Sequence, residues 1–300
     1  MKPSVGVAFI THNAKHHLKH CLPPILGSTL QPRVLVVNSS SSDGTIEEAK
    51  RLGAEVLVVP RKTFNHGLTR EQARIHLGTD IIVMMTPDAY AIHEQMLNPL
   101  IGPIALGLAA VSYARQIPHE GADVFESFAR AFNYPMQSHI RGLSDLPKYG
   151  VYTFFCSNSC AAYNNKALNS IGGFQEVLLG EDTCAVASLL HNGERIAYVA
   201  EAIVRHSHRY NLKQEFKRNF DTGLMRKRFK ELQEIHASDE KRGWLYFSAL
   251  MKELAQQQPH KIPYGLLQTI VKYAGYLTGK ACVNAPIAMK RLLSSQDFYW

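Results

Sequence analysis

Apolar and polar positions alternate in a regular pattern over the first 85 residues of the chain. Short β-branched runs predict strands, and helical spacing between them predicts helices: strands over 5–10, 33–37, 55–59 and 81–85, and helices over 14–28, 45–52 and 66–77. The strand runs are apolar throughout, as is typical of parallel strands that helices cover on both faces. The pattern therefore predicts an α/β fold with a doubly wound, mostly parallel sheet, whose ligands bind beyond the carboxyl ends of the strands.

The last third of the chain has a different pattern, with helical spacing over 212–235 and again over 264–277. In the second segment Gln268 and Lys272 interrupt a set of apolar residues that recur on one helical face: Leu266, Leu267, Ile270, Val271, Ala274 and Leu277. Two interpretations stay open. The helix packs on the α/β domain, or it lies on the inner face of a membrane.

The positive charge of the chain is concentrated in this last third. The 300 residues include 33 Lys and Arg against 25 Asp and Glu, which gives a net charge of +8. Residues 1–208 carry 17 of each sign, whereas residues 209–300 carry 16 basic and 8 acidic side chains. This asymmetry predicts one domain over 1–210 and a basic helical region over 211–300. A surface that meets an anionic partner is expected in the second region, where each basic residue near anionic lipid would contribute roughly 1 kcal/mol.

Cysteine usage and the N-terminus indicate the compartment. The five cysteines are odd in number and form no CxxC pair, which predicts reduced thiols rather than disulfides or a cysteine zinc site. Residues 1–10 lack the regions of a signal peptide, and no stretch reaches the ~18–20 apolar residues of a membrane span. We therefore expect a cytoplasmic protein, placed at the inner face of the cell membrane if the 264–277 helix binds lipid.

Polar residues follow the predicted strands at the edge of the sheet where ligands are expected. They occupy 11–13 after the first strand, 38–45 after the second and 86–89 after the fourth. Ser42 or Asp43 would serve as a helix cap, but capping leaves four consecutive serines unexplained, and a donor-rich loop around a base and ribose would account for them. Neither GxGxxG nor GxxxxGK[ST] occurs, which argues against a dinucleotide dehydrogenase and a P-loop kinase.

Asp88 has two interpretations at this stage. An aspartate that follows a strand and a proline is an ordinary turn residue. A carboxylate at the end of a central strand also suits a divalent cation that neutralises a diphosphate, because Mg²⁺ takes carboxylate and phosphate oxygens together. The residue alone does not decide between the two.

A set of short motifs resembles a known family when the motifs are taken together. They are SSDGT at 41–45, FNHG at 64–67, TPDA at 86–89, SNSCAAY at 157–163, IGGF at 171–174, GED at 180–182, and AYVAEA at 197–202 followed by VRHSH at 204–208. Over residues 4–225 the chain resembles the inverting family 2 nucleotide-sugar glycosyltransferases of GT-A fold, in particular their bacterial rhamnosyltransferase-like branch. The family more often has aspartate at the positions of Asn38 and Asn65.

The resemblance implies roles for individual residues. Asp182 would be the base that deprotonates the acceptor hydroxyl, with Glu181 beside it. Asp88 and His206 would hold Mg²⁺ or Mn²⁺ between them and the diphosphate. Residues of the strand ends and of the helix over 66–77 would bind the nucleotide sugar: Thr11, Asn13, Asn38, Ser39, Asp43, Arg70, Asp88 and Ala89.

The resemblance also implies a reaction and its partners. We expect inverting transfer of a sugar, with L-rhamnose from dTDP-L-rhamnose favoured and a UDP-sugar as the other donor, to a glycan or lipid-diphosphate-linked acceptor in bacterial surface polysaccharide (O-antigen) synthesis. Peripheral membrane contact through 209–300 and a homo-oligomer stay open. Nucleic acid is not expected, because the basic residues are spread over amphipathic helices.

Two other functions stay open as alternatives. One is a catalytically inactive nucleotide-sugar-binding homologue, which the residues alone do not distinguish from an enzyme. The other is a sugar nucleotidyltransferase, which would carry a glycine-rich basic loop after the first strand. Residues 11–14 read Thr-His-Asn-Ala and do not form such a loop.

Overall fold

The computed structural model describes residues 2–233 and 240–300. Its strands are β1 (Val5–Thr11), β2 (Arg33–Asn38), β3 (Glu55–Val58), β4 (Ile81–Met85), β5 (Tyr90–Ala91), β6 (Val111–Ile117), β7 (His139–Arg141), β8 (Cys160–Asn164) and β9 (Ile196–Arg205). Its helices are α1 (Lys15–Leu26), α2 (Thr45–Arg51), α3 (His66–Leu77), α4 (Leu97–Ala105), α5 (Val124–Asn133), α6 (Leu146–Tyr149), α7 (Asn165–Ser170), α8 (Glu181–His191), α9 (Leu212–Gln233), α10 (Glu240–Gln257), α11 (Ile262–Ala281) and α12 (Ile287–Leu293). The strands and helices predicted for residues 5–85 are confirmed, each end to within two residues.

The strands form one sheet in the order β3-β2-β1-β4-β8-β6-β9-β5, with β7 paired to β9. Strands β3, β2, β1 and β4 are parallel, as predicted, and Thr11 lies opposite Asn38 at the ends of β1 and β2. Strand β8 is antiparallel to both β4 and β6, while β6 and β9 are parallel. The carboxyl ends of β1, β2 and β4 therefore meet at one edge of the sheet.

Strands β1 and β4 lie at the centre of the core, and every residue of both strands is buried. Val7 and Phe9 of β1 belong to one buried cluster with Leu18 and Leu22 of α1. The apolar stripe of a helix thus covers one face of a strand that has no polar side, as expected for a parallel sheet between two helical layers.

The chain divides into two compact units. The first unit comprises 1–119, 134–177 and 181–206 and contains the whole sheet. The second comprises 120–133, 178–180 and 207–300 and contains α5 and α9 to α12. The proposed division into 1–210 and 211–300 was drawn from charge alone and stays a prediction.

Helices α9 and α11 pack closely within the second unit. A Cβ atom on Gly275 of α11 would lie 2.4 Å from the carbonyl oxygen of Phe216 in α9, and one on Gly279 would lie 2.0 Å from that of Phe220. The missing side chains let the two backbones approach. Helix α9 starts at Leu212, as predicted, and its predicted end at Ile235 lies outside the described residues.

Two expectations from composition can be compared with the structure. The five cysteines form no disulfide, as predicted, and all except Cys184 are buried. Within 2–233 and 240–300, none of the helices is both long enough and apolar enough to cross a bilayer. The cytoplasmic location stays a prediction.

Candidate active site

Thr11 and Asn38 end two neighbouring strands at the carboxyl edge of the sheet, and both are buried. Thr11 Oγ1 donates to Val37 O at 3.1 Å and accepts from Asn38 Nδ2 at 3.2 Å. Asn38 Oδ1 accepts from the Ser41 N–H at 2.8 Å. The Asn38 amide therefore holds the strand ends and the following loop, and its contact with a base stays a prediction.

The loop that follows β2 is fastened to the loop that follows β1. Asn13 has a left-handed backbone (φ 47°), and its N–H donates to Ser41 Oγ at 2.7 Å. Its side-chain Oδ1 accepts from the Ser42 N–H at 3.0 Å. Ser39 is buried, and its hydroxyl donates to Thr11 O at 3.2 Å. Loop-to-loop hydrogen bonds thus account for much of the serine run without any ligand.

Asp43 accepts hydrogen bonds from the first turns of two helices. The Lys15 N–H of α1 donates to Oδ2 at 3.0 Å, and the Thr45 N–H of α2 donates to Oδ1 at 3.0 Å. The Thr45 hydroxyl also donates to Oδ1. Burial alone would raise the pKa of Asp43, but these hydrogen bonds outweigh it and hold the pKa below its ordinary value. Asp43 thus holds the start of α2 from the residue before its N-cap, Gly44, and its contact with a nucleotide is untested.

Arg70 of α3 and Glu181 of α8 form a buried ion pair. Arg70 Nη1 lies 3.2 Å from Glu181 Oε1 and donates to His66 O at 3.0 Å. Burial raises the pKa of Glu181, but the positive charge of Arg70 outweighs it, so the pKa lies below its ordinary value. The buried Nε–H of Arg70 has no hydrogen-bond partner among the described residues. The predicted site residues Arg70 and Glu181 thus bind each other, and the Nε–H of Arg70 can still donate a hydrogen bond to a ligand.

Asp182 is adjacent to Glu181 but has a different environment, because its side chain stays partly exposed. Asp182 Oδ2 accepts from the Asn158 N–H at 3.1 Å, and Oδ1 accepts from the Thr183 N–H at 2.7 Å. Burial, and then the neighbouring Glu181 carboxylate, raise the pKa of Asp182 to about 6. A carboxylate with this pKa can take a proton near neutral pH, whereas Glu181 is already committed to Arg70.

Asn158 is a site residue that the sequence analysis did not single out. Its Nδ2 donates to Glu181 Oε1 at 2.9 Å, and its backbone N–H bonds Asp182. Its Oδ1 accepts from the Tyr163 hydroxyl at 2.7 Å, and both residues are buried. One asparagine thus positions both carboxylates. The SNSCAAY motif contained this residue, but an asparagine between two serines is equally typical of a turn.

Asp88 and His206 come together although they lie far apart in the sequence. Asp88 Oδ2 is 3.5 Å from His206 Nε2. Asp88 lies in the turn after β4, which a hydrogen bond from the Ala89 N–H to Thr86 O closes at 3.1 Å. His206 follows β9, and its N–H donates to Ile117 O at 2.8 Å. The two predicted metal ligands are therefore neighbours. Ala89 itself is fully buried, and its contact with a nucleotide sugar is untested.

Gln116 of β6 orients the imidazole ring of His206. Gln116 Nε2 donates to Ser157 Oγ at 2.9 Å, so its Oε1 faces the ring and accepts from His206 Nδ1 at 2.8 Å. The other ring nitrogen, Nε2, then carries its lone pair on the side of Asp88. A histidine whose second nitrogen is held in this way is typical of metal ligands. One imidazole nitrogen and one carboxylate oxygen would suit a divalent cation such as Mn²⁺ or Mg²⁺.

The IGGF loop is fixed against α3. Gly173 has a φ of +79°, and a Cβ there would lie 2.2 Å from Glu71 Oε2, which accepts from the Phe174 N–H at 2.9 Å. Asn65 caps α3 through Oδ1, which accepts from Gly67 N–H at 2.9 Å, and its Nδ2 donates to Val177 O at 3.1 Å. An aspartate could not make the last bond, which is a physical reason for asparagine at this position.

Known proteins of similar sequence fall into one functional group. The family model described as "Glycosyl transferase family 2" matches residues 7–172. The O-antigen chain rhamnosyltransferase RfbN of Salmonella typhimurium is 33% identical, over 97% of this chain and 94% of its own length. The O-antigen chain rhamnosyltransferase WbaN of Salmonella anatum is 34% identical, over 91% of this chain and 87% of its own length.

A solved structure of similar fold agrees with the sheet described above. The mannosyltransferase PcManGT from Pyrobaculum calidifontis, in complex with GDP-Man and Mn²⁺, has a TM-score of 0.65 at 14% identity, over 95% of this chain and 88% of its own. At this identity the likeness shows the fold alone, and it confirms the GT-A fold. The family model and the two sequence relatives show that the chain belongs to glycosyl transferase family 2 and is a glycosyltransferase.

Proposed function

We propose that the chain transfers L-rhamnose from dTDP-L-rhamnose, with inversion, to a glycan or lipid-diphosphate-linked acceptor in bacterial surface polysaccharide synthesis. The two O-antigen chain rhamnosyltransferases, similar over almost the whole chain, support the sugar and the process. The observation that carries the reaction type is Asp182. The residue is partly exposed, and its carboxylate has a raised pKa and is held by Asn158 beside a buried ion pair.

Asp182 would act as the general base of a single displacement. Its carboxylate takes the proton of the acceptor hydroxyl while that oxygen forms a bond to the anomeric carbon. The bond from this carbon to the diphosphate oxygen breaks, and its electron pair leaves with the diphosphate. Since the attack comes from the side opposite the leaving group, the anomeric configuration is inverted.

Four residues of the first unit would help to bind the departing diphosphate, whose negative charge grows in the transition state. Asp88 and His206 would hold Mn²⁺ or Mg²⁺, which supplies positive charge beside the phosphates. The partnerless Nε–H of Arg70 is a fixed cationic donor that an anionic ligand would satisfy. The buried Thr86 hydroxyl lies in the turn that holds Asp88 and also has no partner among the described residues. It would donate a hydrogen bond to an oxygen of the nucleotide sugar.

Thermal unfolding with nucleotide sugars tests the donor and the metal together. At about 100 times its Kd, dTDP-L-rhamnose with Mn²⁺ is expected to stabilise the protein by about 2.7 kcal/mol, which raises Tm by several degrees. Chelator should remove most of this shift, and Asp88→Asn should show the same small shift with and without Mn²⁺. UDP-glucose and GDP-mannose serve as controls. An equal shift in chelator would contradict the metal site, and a larger shift with another donor would contradict the assigned sugar.

The pH dependence of the wild-type enzyme tests the state of Asp182. Its pKa is raised to about 6, so the ionised form that can accept a proton is half populated near pH 6 and falls about tenfold per unit below that. We expect kcat/KM to rise with pH from 4.5, to reach half its maximum near pH 6 and to level off above about pH 7, measured by product formation with saturating metal. A flat profile between pH 5 and pH 7 would show that Asp182 does not have to be ionised.

A further inference from the structure

Helix α11 turns its small residues towards α9 and its large apolar residues to solvent. Gly265, Gln268, Gly275 and Gly279 are buried, and the last two lie against the backbone of α9. The opposite side is exposed and carries the apolar residues Leu266, Leu267, Ile270, Tyr273 and Leu277, which together are named the α11 face. The residues that formed the apolar stripe of the sequence pattern thus lie mostly on the side of the helix away from α9.

The α11 face is long, and the stretch of sequence that contains it carries charge of one sign. A helix of 20 residues is about 30 Å long. The fully exposed positions of α11 carry no charged side chain, and the partly exposed Lys261 and Lys280 lie near its two ends. The third lysine, Lys272, is paired with Glu215 of α9 at 3.2 Å. Residues 254–296 contain five Lys and Arg and no Asp or Glu. An uncharged apolar face in a purely basic segment is complementary to a surface that is apolar beneath and anionic on top.

Apolar surface continues from α11 onto α10. Leu266, Ile270 and Tyr273 also line a cavity of about 1260 Å³, together with Trp244 and Phe247 of α10. Trp244 is mostly exposed. Tryptophan and tyrosine are enriched where a protein meets the boundary between lipid and water, because their rings have an apolar body and a polar end.

We propose that the α11 face docks the protein on the surface of a membrane that contains anionic lipid. The apolar side chains would enter the boundary between headgroups and acyl chains, and Lys261 and Lys280 would meet anionic headgroups. The helix would lie along the surface, in keeping with its charged flanks. A second copy of the chain fits less well, because two α11 faces would bring two basic segments together. The proposal does not depend on the identity of the sugar.

Vesicle binding tests this surface. The full chain is sedimented with phosphatidylcholine vesicles that contain or lack phosphatidylglycerol, at low and high salt. Wild type is expected to bind the anionic vesicles, less at high salt because the charges are screened. The double variant Ile270→Glu/Leu277→Glu should bind at least roughly tenfold more weakly, since insertion would now bury two carboxylates. The matched control is Ile75→Glu on α3, since Ile75 is 66% exposed and Ile270 is 64% exposed, and it should bind like wild type.

Two further measurements separate membrane docking from a loss of transferase function and from self-association. Circular dichroism melting and the donor-induced shift in Tm should be the same in wild type and the double variant, so a loss of vesicle binding does not count against the transferase function. Absence of wild-type binding, or equal binding by the double variant, would overturn the proposal. So would a dimer in sedimentation that the double variant disrupts without any lipid binding, which would assign the α11 face to self-association.

Discussion

Asp182→Asn is expected to lower kcat by about 10²- to 10⁴-fold, because a positioned general base contributes an acceleration of that size. The amide that replaces the carboxylate cannot take the proton of the acceptor hydroxyl. Its oxygen can still accept from the Thr183 N–H, so the start of α8 should persist. Initial rates of dTDP release and of acceptor rhamnosylation, at a pH well above 6, measure the loss.

The control for Asp182→Asn is the same substitution at an aspartate outside the candidate active site. Asp80→Asn serves, because Asp80 is exposed in the same unit and accepts from the N–H and hydroxyl of Ser4, which an amide oxygen can also accept. It should keep wild-type kcat. If Asp182→Asn binds donor and melts like wild type but turns over slowly, the base role is supported. If its turnover is unchanged, Asp182 is not the base, and an inactive homologue is expected to show no effect at all.

The first half of the sheet could be predicted from sequence because the signal there is local. Strands such as 81–85 are continuous apolar runs between helical segments, and burial on both faces requires such a composition. Strands β7 and β8 give no such signal. Strand β8 reads Cys-Ala-Ala-Tyr-Asn, and β7 has three residues. They are strands because they pair with β4, β6 and β9, and sequence windows do not contain that long-range pairing.

The candidate site likewise contains residues that could be predicted from the sequence and contacts that could not. Residue types that suit metal or proton chemistry could be read from the sequence, and Asp88 does meet His206. The hydrogen-bond network could not be read, because it depends on which loops meet. Asp43 bonds the starts of two helices, and Asn38 bonds Thr11 and Ser41. These contacts support the loop, so the case for base and ribose binding now depends on donor titration.

Arg70→Met is expected to lower the free energy of unfolding by about 3–5 kcal/mol at pH 7, because it leaves Glu181 buried and unpaired beside Asp182. Glu181 has a lowered pKa in the folded protein, so the pair stabilises the fold above the ordinary glutamate pKa and loses that effect as pH falls through the lowered value. The difference between wild type and Arg70→Met should therefore shrink in acid, where Glu181 can be protonated. Urea unfolding at pH 7 and at about pH 3.5, which lies below the ordinary glutamate pKa, measures it.

Two companion variants identify the cause of the loss. Arg33→Met removes an ion pair of 2.8 Å with Glu55 whose side chains are 48% and 41% exposed, together with a hydrogen bond to Leu77 O, so it should lower the free energy of unfolding far less than Arg70→Met does. Arg70→Met/Glu181→Gln removes both charges, and the glutamine oxygen can still accept from Asn158 Nδ2, so much of the stability should return. If the double variant is as unstable as Arg70→Met alone, the loss comes from the packing of the Arg70 side chain and not from the unpaired carboxylate.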